Sequence, residues 1–489
     1  MDSERRWRTL AVTLVVGFMT LLDLTIVNVA LPSIQRGLDA SPQGLQWIVS
    51  GYALTFGLTL VAGGRLGDVL GRRRMFLLGL IAFTLTSAAA GAAPNEELIV
   101  VSRLLQGVAA GMLTPQNTGL IQDLFSGEER GRAFGVFGTT VGVSAAAGPI
   151  LGGLLIAAFG EENGWRFVFW VNVPIGLGAM VLAARLIPAG RRQDGRLRSQ
   201  IDTVGALLLG LAVLCFLLPL IEAMGDPATR FWLLLPLTAV FGVLFARWER
   251  RMVRRGLSPL LDVRLFTEAP GYSSGIALGS VYFCGFAGIW LVLALFFQDG
   301  LGYSALESGL AVTPFAVGSA ISAVIAGRLV DRWNRWLTVG GLSLVIIGFS
   351  ALAVLVPATV PNHTSLVVLV PLLVSGVGAG AVISPNVTMT LSDVPPRMGG
   401  AAGGALQTGQ RLGSAVGAAV LAAVFRLALQ HPSVDYGKAI AVTFGCSVGF
   451  MVVALVIALF ELRARRTGRA LWGRDPTQEQ AVAGRLDTL

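Results

Sequence analysis

Two residues of opposite charge stand inside long apolar runs of this 489-residue chain: Asp23 within LLDLTIVNVALP and Arg103 within RLLQGVAAG. A charged group in a lipid-spanning helix is expensive unless it is paired, hydrated or neutralised by a proton, so such residues mark functional sites. Asp23 precedes Pro32, at the end of its run, by nine residues, which at ~1.5 Å per residue puts it roughly 13 Å deep. Arg103 follows Glu97 by six residues, roughly 9 Å down, and Gln106, one turn on, sits near the depth of Asp23. An acid and a base at similar depth on two helices can take up and release a proton as their separation changes. A static ion pair holding the two helices together is the competing reading. Arg411 is a third charge within an apolar run. It either favours an anionic or zwitterionic cargo or pairs with a group that the sequence does not identify.

A second constellation is the basic turn GRLGDVLGRRR, Gly64 to Arg74. Gly64, Gly67 and Gly71 allow helix ends to approach closely. Asp68 is suited to the positive N-terminus of a neighbouring helix or to a neighbouring arginine, and Arg72, Arg73 and Arg74 belong at headgroup level. An arginine-rich loop alone can be a topological anchor and nothing more. The copy GRLVDRWNR, Gly327 to Arg335, argues for a duplicated latch, with Asp331 and Arg332 as second members of the gate.

The elements that carry these residues follow from composition. The chain is 54% hydrophobic and 13% charged, against roughly 25% charged in soluble domains. Backbone groups in lipid must be satisfied within the segment, so long uncharged runs mean helices. Windows of about 20 residues give fourteen spans: 9–31, 45–63, 75–93, 98–120, 134–157, 166–187, 202–222, 230–247, 272–297, 309–327, 337–356, 366–390, 400–425 and 439–461. The net charge of +9 does not describe a nucleic-acid surface, because the arginines lie in short loops. With the N-terminus cytoplasmic, thirty of the 37 cations fall in inside segments, five outside, and two (Arg103 and Arg411) in helices. That alternation orients both termini inward. The first span is too long for a signal peptide and is expected to be retained. Cys215, Cys284 and Cys446 are far apart within apolar runs and suggest no disulfide or metal framework.

The chain also repeats itself. Gly64 pairs with Gly327, GVAAGMLTPQN from Gly107 with GVGAGAVISPN from Gly376, and ERGRAFGVFG from Glu129 more weakly with RMGGAAGGAL from Arg397. Three matches in one order indicate two related six-helix halves, a known transporter architecture with its site between the halves. The expected division is 1–200 for the first half, 201–256 for an inserted helix pair with linkers, 257–462 for the second half and 463–489 for a cytoplasmic tail.

The basic turn resembles the loop 2–3 signature of the major facilitator superfamily. The runs around Asp23 and Arg103, GVSAAAGPILGG ending at Gly153, and WRFVFWVNVPIG from Trp165 are similar to motifs of its fourteen-helix drug:proton antiporter branch. The resemblance covers nearly the whole chain. It implies an all-α polytopic membrane protein, with proton coupling at Asp23, Arg103 and Gln106. It implies a cytoplasmic gate at Gly64, Asp68, Gly71, Arg72, Arg73, Asp331 and Arg332. The antiport motif in the fifth helix would be Gly148, Pro149, Gly152 and Gly153, with Ser144 where glycine is usual; ordinary small-residue packing would also account for it.

Polar and aromatic candidates for a substrate cavity are Asn28, Trp47, Tyr52, Gln116, Asn117, Phe286, Trp290, Asn386, Gln407, Gln410 and Arg411. Interhelical hydrogen bonds and interfacial aromatics are the alternative for most of them. No acid stands in 309–327 or 400–425, where some cation exporters of the family carry one. The sequence has no phosphate loop of the G-x-x-x-x-G-K type, and His363 and His431 lack metal-ligand spacing. The expected protein is not an enzyme and takes no cofactor or metal. It is expected to be a monomeric transporter in a bacterial cytoplasmic membrane, exporting amphipathic molecules by alternating access on the energy of a proton gradient. A lipid or metabolite exporter of the same fold, or a non-transporting receptor or scaffold, are the rival readings.

Overall fold

The computed structural model describes residues 3–188, 202–225, 230–269, 271–359, 364–395, 398–431 and 434–466. The linker arginines from Arg191 to Arg198, Arg397 and the tail from 467 onward lie outside these, as do the side chains of Pro149 and Asp331. The first six spans are built from α1 (Ser3–Leu38), α2 (Pro42–Leu70), α3 (Arg72–Gly91), α4 (Glu96–Leu124), α5 (Gly127–Phe159) and the pair α6 (Gly164–Trp170) and α7 (Asn172–Leu186). Two more follow, α8 (Thr203–Gly225) and α9 (Leu235–Arg254). The remainder are α10 (Tyr272–Leu295), α11 (Thr313–Trp333), α12 (Arg335–Thr359), α13 (Thr364–Leu391), α14 (Gly399–Leu429) and α15 (Tyr436–Arg466). Among the described residues thirteen segments are long and apolar enough to cross a bilayer. Helix α5, at 33 residues, is itself long enough to span about 30 Å of hydrocarbon and makes the fourteenth.

Local chemistry sets the helix ends. Ser41 caps α2, its hydroxyl accepting from Gly44 N at 2.9 Å, and Asn95 caps α4 through Leu98 N at 3.1 Å. Gly71, at φ 96°, makes the reversal from α2 into α3 that an L side chain would strain. The span expected over 166–187 is divided at Val171, because Pro174 has no N–H to offer the carbonyl one turn back. A short helix, Ala305–Ala311, precedes α11, and α10 runs on through a π-turn over Phe296–Gly300. Most helices outrun the apolar windows: α1 covers Ser3–Leu38 where hydropathy marks 9–31.

Helices α1 to α7 pack among themselves, as do α10 to α15, and the two bundles meet chiefly where α2 lies on α14 and α5 on α11. Glycines of the repeats make these contacts. A Cβ on Gly400 would lie 2.6 Å from Gly64 O, and one on Gly131 would lie 2.7 Å from Gly327 O. Gly64 and Gly327, the matching glycines of the two turns, thus each meet the other bundle at its weaker repeat, and both contacts lie on the arginine-rich face. Helix α8 packs on α9, α2 and α14, along the seam.

Candidate functional site

Asp23, Arg103 and Gln106 come together inside the first bundle, each almost fully buried. Arg103 Nη1 donates to Asp23 Oδ2 and to Gln106 Oε1 at 2.8 Å, while its Nε donates to Ile48 O at 3.0 Å. Gln106 Nε2 donates to Asp23 Oδ1 at 3.2 Å. The guanidinium also lies 4.1 Å over the ring of Tyr52, whose hydroxyl donates to Thr20 O at 3.0 Å. Tyr52 therefore packs on this cluster.

A partner that sequence reasoning missed completes the cluster. Asn172 Nδ2 donates to Asp23 Oδ1 at 3.0 Å and to Ser87 Oγ at 3.1 Å, and Ser87 Oγ donates to Phe169 O at 2.9 Å. The helix break at Val171 brings Asn172 to this position, so the only sequence signal is the N-V-P that opens α7. Both oxygens of Asp23 are engaged. Helix α5 presses on the same stretch of α1. A Cβ on Gly148 would overlap Thr25, and one on Gly152 would lie 3.1 Å from Ile26 O. Gly153 is half-buried.

At the arginine-rich face Asp68 takes both roles open to it. Its carboxylate accepts from Gly400 N at 3.1 Å and Ala401 N at 2.9 Å, across the bundle boundary at the N-terminus of α14. It also lies 3.0 Å from Arg72 Nη1. Arg72 in turn donates from Nε to Asp123 Oδ2 at 2.5 Å, and Arg73 donates to Ala184 O. Asp123 was not anticipated; it closes α4, and its proximity to Arg72 follows only from how α3 lies on α4.

The duplicated turn differs from the expectation. Arg332 is exposed, whereas Arg335, the residue that opens α12 as Arg72 opens α3, is fully buried. Arg335 Nη2 donates to both oxygens of Glu461 at 2.8 and 2.6 Å, and Nη1 donates to Asn386 Oδ1 at 2.8 Å. Ser274 Oγ adds a bond to Glu461 Oε2 at 2.8 Å.

The cavity candidates separate in the same way. Asn386 is committed to Arg335 and to Gly275 O, 3.0 Å away. Gln116 is buried between α2 and α4, donating to Gly63 O at 2.9 Å; it ties helices of one bundle. Trp47 packs on the Leu54, Val213, Leu217 and Ile221 cluster and so faces α8. Asn117 is buried against Gly17 of α1. Phe286 and Trp290, 5.5 Å apart, join an aromatic group with Phe315. Asn28 is exposed. Gln407, Gln410 and Arg411 lie on α14, with the Arg411 guanidinium 4.7 Å over the ring of Phe56 on α2.

One further cluster lies by the basic turn. Glu249 and Asp202 are both buried, and a Cβ on Gly205 would lie 2.5 Å from Glu249 Oε1 and also overlap Asp202. Trp248 Nε1 donates to Asp202 Oδ1 at 2.9 Å, and Leu261 N to Glu249 Oε2 at 3.3 Å. Sequence reasoning had treated this region as a connecting insertion.

Two helical bundles with charges buried in each, joined along two helix pairs, are the build of a secondary membrane transporter rather than an enzyme. The Major Facilitator Superfamily model matches residues 13–418, and the chain belongs to that superfamily. It is 37% identical to the probable actinorhodin transporter of Streptomyces coelicolor over 410 residues, 83% of this chain and 70% of that one. It is 36% identical to the puromycin resistance protein pur8 of Streptomyces alboniger over 461 residues, 93% of this chain and 89% of that one. Among solved structures, the proton:xylose symporter XylE matches with a TM-score of 0.67 at 15% identity, covering 99% of this chain and 100% of its own. At that identity the likeness concerns the fold.

Proposed function

We propose that the protein exports amphipathic, drug-like molecules across a bacterial cytoplasmic membrane in exchange for protons, with the arginine-rich face and both termini cytoplasmic. The reading of export is supported by relatives named for antibiotic transport and resistance. The reading of proton exchange rests on one observation: Asp23 is buried in the first bundle with Arg103, Gln106 and Asn172 all bonded to its carboxyl group or to one another. A proton delivered to Asp23 removes the charge that holds Arg103, which frees α1 and α4 to shift. A few kcal/mol of differential binding is enough to move a two-state equilibrium. Asp68, bonded to the first N–H groups of α14, holds the cytoplasmic side closed until that shift occurs. The proton gradient supplies the energy, and no cofactor takes part.

Everted vesicles carrying wild type or Asp23→Asn, given a fluorescent drug in the medium and energised by a pH gradient, test this reading through uptake into the lumen. Gradient-driven export is expected to fall at least about tenfold in the variant, while downhill exchange of the drug persists. Undiminished gradient-driven export would remove Asp23 from the coupling mechanism. A wild type that moves no drug would favour a lipid or metabolite cargo.

A further inference from the structure

We propose that Arg411 and Gln407 form an anion subsite between the bundles, which takes a carboxylate or comparable acidic group of the exported molecule. The assignment of this group to a cargo rests on the export reading above; the binding site itself does not.

Among the described residues three arginines are buried, and each faces a carboxylate. Arg72 has Asp68 and Asp123, Arg103 has Asp23, and Arg335 has Glu461. Arg411, half-buried, breaks the pattern. It stands in the middle of α14, twelve residues from the start of the helix at Gly399, or roughly 18 Å along its axis. Among the described residues no carboxylate lies within ion-pair distance of it. What it has is the face of Phe56, which offsets only part of the cost of holding a guanidinium at membrane depth.

Its neighbour on the same face of the helix is also unsatisfied. Gln407, one turn earlier, is 7% exposed, yet neither its Oε1 nor its Nε2 has a hydrogen-bond partner. Buried amides are ordinarily paired. The turn before it, Gly403, packs on Thr118 of α4, so this face of α14 looks into the first bundle. Arg411 itself lies against α2 at Phe56 and Gly57. The guanidinium fork and the Gln407 N–H groups can donate to one acidic group, and Gln407 Oε1 can accept from a hydroxyl or amide of the same molecule. Arg103 cannot serve this purpose, because Asp23, Gln106 and Ile48 O already occupy it.

The test compares fluorescein with its methyl ester, which has the same ring system without the carboxylate, by fluorescence anisotropy against the purified full-length protein in detergent. Wild type is expected to bind the acid about tenfold or more tightly than the ester, the discrimination one charge-assisted bond supplies. Arg411→Gln should abolish the discrimination and Arg411→Lys should keep much of it. Gln407→Ala should reduce it, which keeps the test decisive if Arg411→Gln fails to fold. Equal affinity for the two dyes, binding of neither, or discrimination that survives Arg411→Gln would overturn the proposal. So would an acid affinity set by chloride concentration alone, which would make the occupant a free inorganic anion. If the dyes are discriminated but neither is exported by energised vesicles, the subsite stands and the export reading fails.

Discussion

Each bundle is locked by a buried arginine–carboxylate pair, and the two pairs have different surroundings. Asp23 and Arg103 lie among amides and an aromatic face, groups that can re-form bonds after a shift. Arg335 and Glu461 are joined through two bonds, at 2.8 and 2.6 Å, which fix them in one geometry. Removing one member of such a pair leaves an uncompensated charge, at a cost of about 3–5 kcal/mol. Arg335→Met should therefore lower thermal stability in detergent strongly, and Arg335→Met combined with Glu461→Leu should recover most of the loss. A double variant no more stable than the single one would show that the pair is not the source of the cost. Only part of this chemistry was legible in the sequence. Asp23 and Arg103 stood out because a charge in an apolar run demands a partner. Arg335 did not, since it closes a degenerate copy of the basic turn and nothing in the letters distinguishes it from Arg332. Asn172 is neutral, and its role depends on a helix break.

At the level of elements, the spans were readable because hydropathy and the lipid requirement act on whole segments. Which face of a helix looks inward is set by neighbours, so the letters alone do not show that Gln116 and Asn386 bond to neighbouring helices or that Trp47 packs towards α8. The repeated glycines fared better, because a missing side chain is itself a statement about distance. Gly64 meets Gly400 and Gly131 meets Gly327, two contacts related by the duplication. Enlarging either should push the bundles apart on the arginine-rich face. Spin labels on Glu128 and Ser392, both exposed, would report this. Gly400→Val and Gly131→Val should each raise the long-distance population about tenfold, which corresponds to a bias of ~1.4 kcal/mol. A response from one variant alone would mean that only one contact holds the face closed.

For the molecule as a whole, the pair α8 and α9 must accompany whatever relative motion the bundles make. Helix α8 touches α2 and α14 to a similar extent, but the contacts differ in kind. Gln46 Nε2 of α2 donates to Ile221 O at 2.8 Å, and Leu54 shares a buried apolar cluster with Val213, Leu217 and Ile221. From α14, the partly buried Leu412 and Ala415 pack on the edge of that cluster. A sliding apolar contact costs little to rearrange, whereas a hydrogen bond in a low-dielectric setting does not break without replacement. Helix α8 should therefore travel with the first bundle and slip against the second. In a background with Cys215, Cys284 and Cys446 replaced, a short bifunctional thiol reagent can join α8 to either side. Linking Leu54→Cys to Leu217→Cys should leave transport within about twofold of the unlinked protein, since both residues move together. Linking Leu217→Cys to Leu412→Cys should reduce it at least about tenfold, because it staples the two bundles across the seam. Transport that survives the second link and fails with the first would place α8 on the second bundle instead, and the first bundle would then move alone.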